Sequence, residues 1–286
     1  GAGFVGSNLI KYLLLKTKNT IISLDNYSTG SKNKHTNNKR VKYINADTNS
    51  IHTTLNKYKK KISAIFHFGE FARIHQSFIN TKDCFSSNIS GTSNVFYFCL
   101  KNKIKIIYSA TSASLGNKGS DQSLSPYAFT KSKNLQLLNH LKKWFGLSYE
   151  ALYFYNVYGP GHIREGAMAT VIGIFEKQYL SKKPLTVVRP GTQSRKFTHI
   201  DDTVKGCYYA WKQNKNRHYS LSHMRSYTIK EVAAFFTKNT KMIPAKLGER
   251  KKSSTTKKIG RIKIYPFQCK INLPSYIKEF KENLGM

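Results

Sequence analysis

A chain of 286 residues, 40% of them hydrophobic and 13% aromatic, can bury a large core, as one sizeable domain or as a large domain carrying a smaller one. No uninterrupted apolar run reaches membrane-span length and no charged, apolar, small-residue order marks a secretion signal, so a cytoplasmic address is expected. The net charge of +34 suggests nucleic acid, but the lysines are spread through every segment, with no arginine-rich tail and no recognisable nucleic-acid module. The charge is therefore read as a compositional bias that leaves a surface attractive to polyphosphates.

Gly1-Ala2-Gly3-Phe4-Val5-Gly6-Ser7 leads directly into Asn8-Leu9-Ile10-Lys11-Tyr12-Leu13-Leu14, whose apolar spacing is helical. A glycine turn at a helix N-terminus lets a phosphate approach backbone N–H groups where the helix end carries partial positive charge. Thr20-Ile21-Ile22-Ser23-Leu24 then reads as a strand ending in Asp25, placed to grip a ribose. Turn, helix, strand and acid in this order predict a dinucleotide site, and Asp25 favours NAD because a 2′-phosphate beside it would be repelled. Such a fold also needs a strand before the turn. The sequence begins at the turn itself, so that strand is expected upstream or is missing.

Strands are predicted over 41–45, 62–68, 104–108 and 150–155, with a polar helical segment over 53–60 between the first two. Strands alternating with helices imply a doubly wound parallel sheet, whose ligands sit beyond the strands' carboxyl ends. Thr111 lies just past one such end. Ser125-Pro126-Tyr127-Ala128-Phe129-Thr130-Lys131 then opens a helix running through Leu135, Leu138 and Leu141 to Gly146. Tyr127 and Lys131, four apart, fall on one helix face, where an ammonium beside a phenol favours its ionised form and makes it a usable general base. Beyond residue 156 the alternation fades and loop signals increase, as expected of excursions forming a substrate lobe. The lysine-rich stretch over 246–258 reads as an exposed loop. Cys84, Cys99, Cys207 and Cys269 lack paired spacing, which argues against zinc or disulfides and for buried thiols.

These residues resemble the extended short-chain dehydrogenase/reductase family, and within it the nucleotide-sugar epimerases of the UDP-glucose 4-epimerase type. The glycine turn resembles the later part of that family's G-x-x-G-x-x-G, Gly3 and Gly6 being the second and third glycines and the first being absent. Asp25-Asn26 resembles its ribose segment and Asp47 its adenine-contacting acid. Phe66-His67-Phe68-Gly69 is similar to its fourth-strand cofactor loop, and Asn88-Ile89-Ser90-Gly91-Thr92 to its structural asparagine motif. Thr111, Tyr127 and Lys131 match its catalytic trio, and the segments around Tyr155-Asn156 and Arg195-Lys196-Phe197 match two substrate-lobe motifs.

The resemblance implies a Rossmann domain over 1–155, with a return segment around 192–215, and a mainly substrate-binding lobe over 156–286. It implies NAD held by Gly3, Phe4, Val5, Gly6, Asp25, Asn26, Asp47, Phe68, Gly69, Asn88, Tyr127, Lys131 and Tyr155. It further implies a nucleotide-sugar substrate, most naturally a UDP-sugar, held by Thr111, Ser112, Asn156, Arg195, Lys246 and Ser253. Tyr127 would take the sugar hydroxyl proton as hydride passes to NAD, and the resulting ketosugar would take the hydride back on its other face. Lys131 would hold the nicotinamide ribose and lower the Tyr127 pKa. Dehydratases and decarboxylases of the family carry an acid after the catalytic threonine, where this chain has Ser112-Ala113, so epimerisation at C4 is favoured. A small Ser253 would admit an N-acetyl group. Family members commonly pair through a four-helix interface, so a homodimer including the Tyr127 helix is expected.

Other features read more plainly. Asp201 and Asp202 suggest a helix cap, His67 and His199 hydrogen-bonded core histidines, and Trp144 a core residue. Glu70 and Arg73 replace small family residues, and would touch the diphosphate or sugar or pair with each other. The alternative to an epimerase is a dehydratase or reductase of the same family, or a relative that binds nucleotide or nucleic acid without turnover.

Overall fold

In the computed structural model, which describes residues 1–245, 247–248 and 257–284, the glycine turn passes into α1 (Phe4–Lys16) and the chain then alternates strand and helix. β1 (Ile21–Asp25), β2 (Val41–Asn45), α2 (Ile51–Leu55) and β3 (Ala64–His67) follow in turn. Next come α3 (Ile74–Ile79), α4 (Thr81–Phe85), a π-helical turn over Ser86–Gly91 and α5 (Thr92–Lys101). β4 (Lys105–Thr111), α6 (Pro126–Phe145) and β5 (Tyr149–Phe154) complete the first part. The later part holds β6 (Val157–Tyr158), α7 (Val171–Leu180), β7 (Leu185–Val188), β8 (Ser194–Lys196), β9 (Thr198–His199), α8 (Ile200–Gln213) and β10 (His218–Ser222). β11 (Ser226–Thr228), α9 (Ile229–Phe236), β12 (Thr240–Ile243), β13 (Lys258–Ile259), β14 (Ile262–Gln268) and α10 (Leu273–Glu282) end it.

Six strands form one sheet in the order β13-β14-β10-β5-β4-β3, parallel except where β13 meets β14. β1 and β2 pair in parallel as a separate ribbon. β4 explains the sheet's burial: from Ile106 to Thr111 every residue is buried, as in a strand covered on both faces. Tyr108 and Ala110 face a core shared with α5 and α6, while Ile107 faces one shared with α1 and α8. A third core, around Tyr158, Phe175, Val232 and Ile277, belongs to the lobe.

The return to the sheet is wider than the 192–215 read from the sequence. β10 and β14 both join it, because Tyr219, Leu221 and Ile264 are buried with the cores of the first part. The lobe is also richer in regular structure than its loop signals suggest, holding α7, α9 and α10 with three short strand pairs. Its centre is Glu176, fully buried, which accepts from His162 Nε2 (2.8 Å), Arg164 Nε (2.7 Å) and the Tyr276 hydroxyl (2.7 Å).

The end of α8 differs from its sequence reading. His199, not an aspartate, is the N-cap, its Nδ1 accepting from the Asp201 N–H at 3.2 Å. Asp202 instead accepts from the N–H groups of Lys270 and Ile271, both at 2.8 Å, and so ties α8 to the stretch before α10. Trp144 is not core: it is 60% exposed and stacks on His140, since the buried residues of α6 lie between Ala128 and Leu138 and its last turn faces outward. All four cysteines are buried free thiols. No helix among the described residues is long and apolar enough to cross a membrane.

Candidate active site

The carboxyl ends of β1 to β5 and the glycine turn outline one crevice, and its two ends are built differently. At the glycine end the groups are mostly backbone. Gly3 is the N-cap of α1 and supplies no side-chain cap, and the first turn holds no acid, so neither the cap nor that turn places an anion at those N–H groups. A Cβ at Gly3 would meet open space, whereas one at Gly6 would lie 2.8 Å from Gly1 Cα. Gly6 is therefore fixed by close approach and Gly3 faces the crevice.

Asp25, at the end of β1, accepts from the Ala2 N–H at 2.7 Å and the Tyr27 N–H at 2.9 Å. Burial pushes its pKa up, while the N–H groups of Ala2 and Tyr27 pull it down. Gly30 must be glycine, since a Cβ would come within 2.9 Å of Asp25 Oδ1. Asn26 donates to Asp47 Oδ2 at 2.8 Å, which brings the predicted ribose and adenine segments together, and Asp47 caps the next turn through the Asn49 N–H. Phe68 packs on Phe154, and Gly69 is exposed at the end of β3.

At the other end the groups are buried side chains. Ser125 caps α6 by accepting from the Ala128 N–H at 3.1 Å, Pro126 presets the first turn, and Gly146 closes the helix at φ +71°. α6 therefore begins where the sequence places it and sets Tyr127 in its first turn. Lys131 is 4% exposed and donates to the Ser109 carbonyl at 2.5 Å, to Ser109 Oγ at 3.3 Å and to Glu70. With Lys131 beside Ser109, Tyr127 lies one helical turn, about 6 Å, nearer the carboxyl end of β4. Thr111 lies about 7 Å beyond Ser109 on the same face of that strand. These two rises put Tyr127 and Thr111 at about one height along the sheet. Thr111 accepts from the Ala113 N–H at 3.1 Å, and both Thr111 and Ser112 are buried.

Glu70 was expected to touch the diphosphate or sugar or to pair with Arg73, and its ion-pair partner is Lys131. The Glu70 side chain is 1% exposed. Oε1 also accepts from Thr92 Oγ1 (3.1 Å), the Tyr108 hydroxyl (3.1 Å) and Asn134 Nδ2 (3.2 Å). The reason is physical: an ammonium this buried needs an anion beside it. His67 joins the network through Thr92 Oγ1 at 2.9 Å, and burial lowers its pKa to about 4. That is the hydrogen-bonded core histidine read from the sequence. Asn88 spends its amide on the Phe71 N–H (2.6 Å), the Phe71 carbonyl (3.2 Å) and Thr130 Oγ1 (3.0 Å). It braces the loop after β3 and reaches the crevice only through that loop.

The lobe residues are placed less closely together. Tyr155 is buried, and the exposed Asn156 donates to the Lys196 carbonyl at 2.8 Å. Arg195 lies on β8 opposite Tyr227, 9% exposed, and donates to the Ser194 carbonyl at 2.9 Å. Lys246 and Ser253 lie outside the described residues. Glu70 was the residue whose partner sequence reasoning missed. The available signal was that a lysine facing an apolar strand demands a nearby carboxylate, and the chain holds only 14 acids.

Residues 1–222 match the model of the NAD dependent epimerase/dehydratase family. The uncharacterised UDP-glucose epimerase YtcB of Bacillus subtilis (strain 168) is 31% identical over 72% of this chain and 68% of its own length. An ADP-L-glycero-D-manno-heptose-6-epimerase of Brachyspira hyodysenteriae is 30% identical over 71% and 68%. Among solved structures, a UDP-N-acetylglucosamine 4-epimerase of Methanobrevibacter ruminantium superposes with a TM-score of 0.85 at 23% identity, covering 99% of this chain and 96% of its own. The UDP-glucose 4-epimerase of Thermus thermophilus in complex with NAD superposes with a TM-score of 0.81 at 19% identity, covering 98% and 96%.

Proposed function

Because the chain belongs to the NAD dependent epimerase/dehydratase family, we propose that it epimerises a nucleotide-diphosphate sugar at C4, with UDP-glucose and UDP-N-acetylglucosamine as first candidates. The observation that carries this reading is the head of the crevice. The residues after Thr111 there are Ser112 and Ala113, both buried and neither acidic. A dehydration needs an acid to remove water at that point. Glu70, the carboxylate tied into the α6 end of the crevice, is held by Lys131 and by hydroxyl and amide donors.

The residues present fit NAD. The uncapped N–H groups of α1, the open space over Gly3 and the acid at Asp25 suit a pyrophosphate and a ribose. Phe4, Val5, Gly6, Asn26, Asp47, Phe68, Gly69 and Tyr155 are proposed for the remaining contacts, and Asn88 for bracing them through the Phe71 loop. When bound, NAD supplies a reversible hydride acceptor. Tyr127 accepts the proton of the sugar hydroxyl at its phenolic oxygen and later returns it. Thr111 orients that oxygen, and Lys131 holds the floor beneath it. Asn156 and Arg195 bind the diphosphate, Arg195 through its planar donor fork. Lys246 and Ser253 are proposed for the second phosphate contact and for the sugar's 2-substituent. Exposed Phe85 of α4 and Phe129 of α6 support a homodimer through that face, to be read from the mass in solution.

The purified full chain, once denatured, is expected to release NAD measurable by absorbance, and the native protein to interconvert the 4-epimers of UDP-glucose or of UDP-N-acetylglucosamine. Tyr127→Phe should retain NAD yet lower turnover by about 10²–10⁴-fold. A protein that releases no NAD and converts neither sugar would be the nucleotide binder without turnover.

A further inference from the structure

Residues 159–170, between β6 and α7, belong to the lobe but lie against the first part of the chain. His162 and Arg164 tie this segment to the lobe's centre through Glu176, and the Thr170 N–H donates to the Ile163 carbonyl at 3.1 Å, closing 163–170 into a loop. On its other side the His162 ring lies 6.0 Å from that of Phe4, in the first turn of α1. A Cβ at Gly161 would come 4.0 Å from Asn8 Nδ2, one turn further along that helix. The segment therefore passes beside the uncapped N–H groups that suit a pyrophosphate.

Two cations hold it there, one at each end of the crevice. At the glycine end, the loop after β1 folds over the glycine turn, its Ser31 N–H donating to the Ala2 carbonyl at 3.1 Å. From that loop Lys34 Nζ donates to the Gly161 carbonyl at 3.1 Å. At the α6 end, Arg73 is the N-cap residue of α3, and Ser77, one turn on, accepts the Tyr127 backbone N–H at 3.2 Å. The Arg73 guanidinium donates to the Met168 carbonyl through Nε (3.1 Å) and Nη2 (2.5 Å), with Nη1 steadied on the Ala72 carbonyl at 2.9 Å. Among the described residues, these two side chains supply the hydrogen bonds between the segment and the first part of the chain. Both bonds are charge-assisted, and so stronger than neutral ones, yet both end on neutral carbonyls. Breaking them strands no buried carboxylate, unlike breaking the Lys131–Glu70 pair.

We propose that residues 159–170 form a strap across the crevice, and that Lys34 and Arg73 are the positioning residues that clasp it, so that a dinucleotide enters or leaves only when both bonds have broken. This rests on the crevice binding NAD. The clasp bonds to the strap and leaves the cofactor untouched, so it governs the rate of exchange and not the affinity.

The test loads the full chain with NADH, chases it with excess NAD and follows the loss of bound-NADH fluorescence. Lys34→Met and Arg73→Gln are each expected to speed release about tenfold, and the double variant about a hundredfold, because both bonds break in one opening. Association should quicken in step and leave the Kd within about threefold, which a merely structural contact would not do. Hydrogen exchange over 160–170, measured by mass spectrometry without cofactor, should rise in the same variants. Lys177→Met breaks the exposed pair with Glu165 on the same segment and should change release by less than about twofold. The proposal is wrong if the clasp variants release NADH at the parent rate, if Lys177→Met speeds release as much as they do, or if the double variant is no faster than the faster single one. Should Arg73→Gln fail to fold, Lys34→Met decides. A parent chain that binds no NADH overturns the NAD reading and the strap together, whereas a parent that binds it beside variants of unchanged rate overturns the strap alone.

Discussion

The two ends of the crevice hold charge by opposite means. At the glycine end, donors are backbone N–H groups of a turn and a helix start, and Asp25 is fixed by the N–H groups of Ala2 and Tyr27. At the α6 end, a full ion pair is buried among Thr92, Tyr108, Ser109 and Asn134. The first arrangement depends on chain conformation, which the close approaches at Gly6 and Gly30 fix. The second depends on matched side chains from β3, β4, α5 and α6, and loses most when one member is removed.

The largest expected effect follows from that contrast. Glu70→Ala leaves the Lys131 ammonium buried without an anion and should cost about 3–5 kcal/mol of folding stability, read as a lower urea midpoint at pH 7. A loss no greater than that of a surface substitution would mean that water reaches Lys131 and that the two ends are alike. Next comes acid sensitivity. His67 has a folded pKa of about 4, below the ordinary 6.5, so the unfolded chain takes up its proton first as pH falls. Stability is therefore full above pH 6.5 and drops towards pH 4, by roughly 3 kcal/mol for this one group. His67→Asn should flatten that fall in urea midpoints measured against pH. Part of the slope will persist, because burial also lowers His218 to about 4. The smallest effect is expected at the glycine end. Asp25→Ala should weaken NAD binding about tenfold, measured by calorimetry, while changing the urea midpoint little. Equal losses of binding and stability would show Asp25 to be as structural as Glu70.

The same contrast explains what could be read from the sequence. β2 spans the predicted 41–45, and α6 runs from Pro126 to Phe145 with its predicted cap and closing glycine, because these are set by local spacing and turn chemistry. The order of turn, helix, strand and acid placed Gly3, Gly6 and Asp25 at one end for the same reason. Tyr127 and Lys131 were legible as a helical pair, but not the diversion of the ammonium to Glu70. That bond links residues 61 apart, and no periodic signal carries such a pairing. Trp144 misled because an aromatic residue near a helix end looks like core from composition alone, while the last turn of α6 faces solvent. β10 and β14 were missed as sheet strands because their partners lie far along the chain, where no local pattern reports the pairing.

The carboxylate at the centre of the lobe has a consequence for the order in which the molecule is made. Glu176 is anchored by Tyr276, one hundred residues later, and Asp202 by backbone groups 68 and 69 residues later. During synthesis the strands and helices up to β5 already possess most of their neighbours, whereas the lobe cannot close its hydrogen bonds until residues 270–276 have left the ribosome. At roughly 5–20 residues per second, that is a wait of several seconds between the first buried carboxylate and its last partner. A nascent chain stalled before α10 should therefore present a finished dinucleotide half beside an open lobe, with α7 and α9 exposing the apolar faces that α10 later covers.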